Sequence, residues 1–281
     1  RDCLLSRGLG DVYKRQMNAG TTAATVSYNY SGSSGYVYLY SSNSGINIYK
    51  IQVDSSASSG SGSSSSGSST TDTSNGTVVT SFSELTAAVT KAEKAGGGIV
   101  YVKGSSISCT AQLALKASNA NVSIIGVKNS DGTYPVLDFS AFRSAYIGKA
   151  TTDSEVGIRI SGSNYTIKNL IIQKAPDNGI QIKGSSAGNN TIENCIVRYN
   201  NDAGVQITGG AYSNTMRFVY SYRNCDVYTL GGNADGFAPK LGAGKGNVFY
   251  GCYSWENSDD GWDSYDKDSL TYNLTYTNCC L

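Results

Sequence analysis

Asp259, Asp260 and Asp263 fall within five residues of the stretch "WENSDDGWDSYDKD", Trp255 to Asp268, which holds six carboxylates in fourteen positions. Only 15% of the chain is Asp, Glu, Lys or Arg. Like charges packed this closely repel unless solvent screens them or a cation sits among them. A fourth carboxylate, Asp235 in "NADGF", precedes Asp259 by 24 residues. No Lys or Arg lies between Asp259 and Asp263. Four carboxylates brought to one point suit a hard divalent cation. Ca²⁺ takes about six to eight oxygens in loose geometry, whereas Mg²⁺ demands a stricter octahedron. The spacing is not that of an EF-hand loop, and the tandem Gly-rich nonapeptides of another Ca²⁺-binding class are absent.

The chain contains no His. That excludes Ser-His-Asp and Cys-His nucleophiles and every His-based metal site. Chemistry here rests on carboxylates, Lys, Arg, Tyr or a bound ion. A net charge of +1 gives no electrostatic reason for a nucleic acid or membrane-surface partner. No apolar run is long enough to span a bilayer as a helix. Seven Cys without a C-x-x-C pair argue against a zinc site or a disulfide-dense scaffold.

Four pieces succeed one another along the 281 residues. Residues 1–16, "RDCLLSRGLGDVYKRQ", are charged, unlike the Ser/Gly/Tyr style that follows, and lack the apolar core of a signal peptide. They read as a cloning, adapter or frame-shift scar and are set aside, with Cys3. Residues 17–54 alternate as three strands ("ATVSYNYSG", "GYVYLYSS", "GINIYKIQVD") separated by turn residues. Three strands cannot bury a core alone. They are expected to be the C-terminal strands of a truncated β-sandwich module. Residues 55–77 form a flexible Ser/Gly-rich linker, and residues 78–281 a second domain.

That domain opens with a helix. In "SFSELTAAVTKAEKAGGG", Ser81 and Glu84 have capping-box spacing, and Leu85, Ala88, Val89 and Ala92 share a face ended by Gly96–Gly98. Strands follow, and they repeat. Units of the form "NYTIKNLIIQKAPDNGIQIKG", "NNTIENCIVRYNNDAGVQITG" and "GNVFYGCYSWENSDDGWDSYD" carry two short strands and a polar turn ending at Gly. Asn169, Asn194, Asn224 and Asn278 recur at 25, 30 and 54 residues, and Cys195, Cys225, Cys252 and Cys279 at 30, 27 and 27. Such a period predicts stacked coils about 4.8 Å apart, in which equivalent side chains form ladders. The four Cys are expected to stack as buried thiols, and the helix to cap the first coil. The fold class is then all-β, a right-handed parallel β-helix with an N-terminal capping α-helix. "NADGF" and "NSDDG" fall one coil apart, so Asp235, Asp259, Asp260 and Asp263 are expected to converge, with Gly261 permitting a bend that turns Asp259 and Asp260 the same way.

The segment Gly231 to Lys267, "GGNADGFAPKLGAGKGNVFYGCYSWENSDDGWDSYDK", resembles the signature of the pectate lyases of polysaccharide lyase family 9. The resemblance runs more loosely from about Thr77 to the end. It implies a secreted enzyme that cleaves polygalacturonate or pectin by Ca²⁺-dependent β-elimination, with Asp235, Asp259, Asp260 and Asp263 as the calcium aspartates. Ca²⁺ on a uronate carboxylate would stabilise the charge that forms when C5–H is lost, and a lysine base would take the proton. The family's base lies on a coil beyond the fourth aspartate, so its counterpart is expected past Leu281, leaving the catalytic residue of this chain unassigned. The chain is expected to be a monomer that binds Ca²⁺ and substrate but turns over poorly.

Lys240, in "FAPKLG", is the candidate for contacting substrate carboxylates or, as a rival idea, for serving as base. Tyr253, Trp255, Trp262 and Tyr265 are candidate sugar-stacking faces. Two alternatives are a β-helix glycoside hydrolase acting on pectin, whose family pattern includes a His that this chain lacks, and a calcium-stabilised, non-catalytic carbohydrate-binding or adhesion β-helix.

Overall fold

The structure is a computed structural model that describes residues 71–265 and 274–280, together with the backbone of three strands nearer the N-terminus. The chain divides into two compact units, Arg1–Ser65 and Ser66–Leu281. In the first, Asp2–Arg7 pairs antiparallel with both Gln16–Asn18 and Val37–Ser41. The segment set aside from the sequence thus supplies the central strand of this sheet. Val37–Ser41 lies within the predicted strand "GYVYLYSS". The other two strands predicted in 17–54, and the linker through residue 70, fall outside the described residues.

The second unit opens with Thr77–Val79, followed by the helix Phe82–Lys94. The Ser81 hydroxyl caps it by accepting from the Glu84 N–H at 3.3 Å. The Glu84 carboxylate reaches back one residue further than a capping box requires, to the Thr80 N–H at 2.8 Å. Leu85, Ala88 and Val89 are buried, as the periodicity predicts. The Tyr165 hydroxyl ties the helix to the coils by donating to Glu93 at 2.5 Å while accepting from the Ala117 N–H at 2.8 Å.

Among the described residues every strand pair beyond the helix is parallel, and three sheets wind around one core. Sheet I holds, in spatial order, Thr77–Val79, Gly98–Val102, Val122–Gly126, Tyr165–Lys168, Thr191–Glu193, Thr215–Arg217, Asn247–Tyr250 and Leu274–Thr277. Sheet II holds Ser106–Ser108, Val136–Asp138, Ile171–Gln173, Ile196–Arg198, Tyr220–Tyr222 and Tyr253–Trp255. Sheet III holds Leu113–Leu115, Ile158–Ile160, Ile180–Lys183, Val205–Thr208 and Phe237–Pro239. From Gly98 to Pro239 each coil contributes one strand to each sheet, which makes the unit a parallel β-helix. Its core is built of apolar rows running from coil to coil. One, in sheet I, is Val100, Ile124, Ile167, Ile192, Met216 and Phe249; another, in sheet III, is Leu113, Ile158, Ile180, Val205 and Phe237. All are buried.

Two ladders differ from the sequence reading. Asn169, Asn194 and Asn278 do share a corner, between sheets I and II, each with φ between 51° and 58°. In the intervening coils Phe218 and Gly251 fill that left-handed position. Asn224 belongs elsewhere. Asn tolerates this region better than most residues, so recurring Asn marks a sharp corner. The cysteine row is corrected in the same way. Cys195, Val219, Cys252 and Cys279 are in register, while Cys225 follows sheet II and is exposed. Cys195 and Cys252 are buried and free, and burial pushes both thiols up to about 12.

Asn224 instead joins one of two buried amide ladders. At the corner leading into sheet I, Asn190 donates through Nδ2 to Asn214 Oδ1 at 2.9 Å, and Asn214 likewise to Asn247 at 3.0 Å. At the corner leaving sheet II, Asn200 donates to Asn224 at 3.0 Å and Asn224 to Asn257 at 2.9 Å. Each Oδ1 also accepts the backbone N–H of the Asn one coil earlier. Apart from the half-buried Asn257 these groups are shut away from water, so each bond matters chiefly through the cost of leaving it unmade, about 1–3 kcal/mol per group. Asn214→Ala strands the Asn190 backbone N–H and takes from Asn247 Oδ1 one of its two donors, leaving it the residue-214 N–H. It is expected to destabilise the unit by about 2–4 kcal/mol in urea unfolding; a loss under ~1 kcal/mol would mean that water satisfies the ladder.

Candidate metal centre

The acidic residues stand on the turn that joins sheet II to sheet III. Successive coils write this turn as Asp177-Asn178-Gly179, Asp202-Ala203-Gly204, Ala234-Asp235-Gly236 and Asp259-Asp260-Gly261. Gly236 N donates to Asp260 O at 2.8 Å, and Phe237 pairs with Trp262. The in-register partner of Asp235 is therefore Asp260, 25 residues on, and that of Ala234 is Asp259.

The glycine provides room here. A Cβ on Gly236 would lie 1.9 Å from Ser254 Oγ and 2.8 Å from Asn257 Nδ2. Neither Gly236 nor Gly261 adopts positive φ, and the chain bends at Gly261 without it. Beneath the turn the apolar row of sheet II gives way to buried Ser221 and Ser254. Ser221 Oγ donates to Gly236 O at 2.7 Å and accepts from Asn224 Nδ2, while Asn257 Nδ2 donates to Ser254 Oγ at 2.9 Å. A hydrogen-bonded floor thus fixes the height and direction of the acidic turn.

On that floor, carboxylate oxygens of Asp235, Asp259 and Asp260 lie within 4.8 Å of one another. Asp235 is fully buried and the other two are exposed. Asp235 Oδ1 accepts from the Asp260 N–H at 3.2 Å, and Asp259 Oδ2 from the Asn233 N–H at 2.7 Å. Asp263 is brought in through a cation rather than directly. Lys240 Nζ lies 2.8 Å from Asp235 Oδ2 and 2.7 Å from Asp263 Oδ2. Burial pushes the Asp235 carboxyl up, with Lys240 pulling against it and the charge of Asp263 a lesser contributor. Burial, more than the expected mutual repulsion, is the main cause. For Lys240 burial disfavours the charge, yet Asp235 and Asp263 outweigh it and hold the ammonium above its ordinary value. That arrangement argues against Lys240 as a base. Sequence reasoning missed the pairing although the register contains it: Asp263 lies opposite Ala238, and Lys240 is the next outward-facing residue of that strand.

The aromatic candidates part company. Trp262 stacks on Phe237 at 4.3 Å and packs against the core. Trp255 stacks on Tyr222 at 4.2 Å, with both Trp255 and Tyr253 exposed on the outer face of sheet II. Tyr265 is exposed, and its N–H donates to Asp263 Oδ1 at 2.8 Å.

A family model described as "Pel9A-like, right handed beta helix region" matches residues 66–281. The chain belongs to this family. Its coils are accordingly those of a right-handed β-helix, as the sequence predicts. Pectate lyase L of Paenibacillus polymyxa (strain SC2) is 34% identical over 191 residues, 65% of this chain and 40% of that protein. Pectate lyase L of Dickeya chrysanthemi is 31% identical over 141 residues, 50% of this chain and 27% of that protein. The crystal structure of pectate lyase Pel9A superposes with a TM-score of 0.56 at 27% identity, covering 70% of this chain and 47% of that one. The chain therefore spans less than half the length of these relatives. Among the described residues no helix is long and apolar enough to cross a membrane.

This Pel9A-like chain has a pH-sensitive neighbour to the cluster in Asp202, whose carboxyl is pushed up to about 7 by burial and then by the charge of Asp177. A carboxyl whose folded value exceeds its unfolded one contributes stability at low pH, lost as pH rises through the folded value. Between about pH 4 and pH 7 the wild-type chain should lose stability that Asp202→Asn retains. Urea midpoints that run parallel for the two proteins across this range would refute the assignment.

Proposed function

We propose that the protein carrying this chain is an extracellular pectate lyase that cleaves polygalacturonate by Ca²⁺-dependent β-elimination, and that Asp235, Asp259 and Asp260 hold the ion. The observation that carries the reading is the meeting of three carboxylates from adjacent coils, in a member of the Pel9A-like family. The donor set fits Ca²⁺. All ligating atoms are carboxylate oxygens, and oxygens bound at about 2.3–2.6 Å to one ion stand at most about 5 Å apart, a limit that the cluster's 4.8 Å satisfies. Two of the three carboxylates are exposed, leaving a side of the site open to a sugar. Asp263 is proposed as the fourth acidic member, within reach through Lys240.

Bound Ca²⁺ would draw electron density from a uronate carboxylate and so acidify the adjacent C5–H. The chain's own contribution is positioning. The Asn233 and Asp260 N–H groups orient Asp259 and Asp235 before any ion arrives, and the Ser221, Ser254, Asn224 and Asn257 floor keeps the turn from retreating. Preorganised ligands lose little entropy when the ion and sugar bind. No residue of this chain is assigned as the proton-abstracting base, since Lys240 is engaged by two carboxylates.

Calorimetric titration tests the reading. The chain should bind one Ca²⁺ at this site, and oligogalacturonate should be retained only when Ca²⁺ is present. Asp259→Ala should weaken Ca²⁺ binding by about tenfold or more, as loss of a charged ligand implies. Any product should carry the ultraviolet absorbance of an unsaturated uronate. Unchanged affinity in Asp259→Ala would remove this site, and saturated reducing ends would replace elimination with hydrolysis.

A further inference from the structure

Lys240 is nearly buried, with its ammonium between two carboxylates of an acidic cluster. Lysine is rarely buried so completely without a partner, and here the partners are residues that the proposed ion would also want. We propose that Lys240 is a built-in counter-ion that sets the charge of the cation site, weakening Ca²⁺ binding while leaving the loaded site less repellent to an anionic sugar. This inference rests on the calcium reading above, in which Lys240 serves only to hold Asp263 near the cluster.

Geometry is the first argument. Asp235, Asp259 and Asp260 already meet, while Asp263 is held by the Lys240 ammonium at 2.7 Å. The same ammonium takes one oxygen of Asp235 at 2.8 Å. A divalent ion that recruits Asp263 must draw it from Lys240, so the lysine and the ion compete for one carboxylate.

Charge is the second argument. The four ionised aspartates and one ammonium carry three net negative charges, and a divalent ion reduces them to one. Without the lysine the loaded site would keep two, and it would face a chain that carries one carboxylate per sugar. Repulsion between like charges a few ångströms apart is strong where water is partly excluded. Lys240 therefore trades cation affinity for tolerance of a polyanionic ligand. Its strand fixes it there: Lys240 N donates to Ile207 O at 3.0 Å at the end of Phe237–Pro239, and the next residue, Leu241, turns to φ 52°.

Lys240→Met, which keeps most of the side-chain volume without the charge, provides the test, by calorimetric Ca²⁺ titration of the whole chain. Removing a nearby positive charge and releasing Asp263 act in the same direction, so the variant should bind Ca²⁺ about tenfold tighter or more. Its Ca²⁺-free form should melt lower, because buried carboxylates lose their partner, and Ca²⁺ should raise its Tm by more than in wild type. Once loaded, the variant should bind trigalacturonate more weakly than loaded wild type, and Lys240→Arg should follow wild type in both measurements. If the Met variant folds only with Ca²⁺, that supports the inference, and Lys240→Gln permits the same titration. Ca²⁺ affinity equal to or below wild type in the Met or Gln variant overturns it. So does tighter Ca²⁺ binding with undiminished sugar binding. A wild-type chain that takes up no Ca²⁺ removes the calcium reading and this inference together, whereas a wild type that binds beside a variant that binds no tighter removes this inference alone.

Discussion

The constraint on which the rest of the molecule depends is that the strands of a coil have no hydrogen-bond partner strand within that coil. Strand N–H and C=O groups pair with the coils before and after, so each coil takes its register from its neighbours. At the corners, where backbone pairing fails, side-chain amides take over, and Asn200, Asn224 and Asn257 pass hydrogen bonds from coil to coil inside the core. An amide ladder tolerates no slip, because a shift of one residue would bury unpaired donors on every rung. The position of the acidic turn is thereby inherited from coils that carry no site chemistry.

Electrostatics then works against that rigid frame. Fixing Asp235, Asp259 and Asp260 together costs free energy in the absence of a cation, and the fold bears this cost through backbone donors and one buried lysine. A looser loop would let the carboxylates separate into water. Rigidity supplied by the ladders and repulsion supplied by the aspartates are thus two aspects of one arrangement, in which charge is concentrated where the backbone cannot yield.

Much of this was legible in the sequence, for a physical reason. A solenoid repeats its geometry, so its sequence repeats its requirements, and the helix cap at Ser81, the coil period and the meeting of Asp235, Asp259 and Asp260 can be read from it. The errors arose where one residue type serves two geometries. Asn169 and Asn194 are chosen for positive φ, whereas Asn224 is chosen for its side-chain amide, and spacing alone merged them. Cys225 shares the cysteine spacing without sharing the row, where the small apolar Val219 meets the same demand for volume. Lys240 follows Asp235 by five residues in the same coil, whereas its second partner, Asp263, lies on a diagonal across coils that only the register reveals.

The coil lengths show why the cluster forms at one turn of the stack. Asn200 and Gly204 are four residues apart, whereas Asn224 and Gly236, at the same two positions one coil later, are twelve residues apart. The added residues fold as a loop pinned at its start by Asp226, which accepts from the Tyr228 N–H at 2.8 Å and from Thr229 Oγ1 at 2.6 Å. The loop then descends onto the next coil. Ser258 Oγ donates to Gly231 O at 2.7 Å, and the Asn233 N–H reaches Asp259. The preceding turn offers Asp202 in the same row but has no such loop to bring a donor across. The insertion is placed where it adds a contact between coils without disturbing the amide ladder on either side. A repetitive scaffold becomes specific in this way: the ladders keep the period, and one lengthened turn uses that fixed period to aim a backbone N–H at a carboxylate that charge repulsion would otherwise turn away.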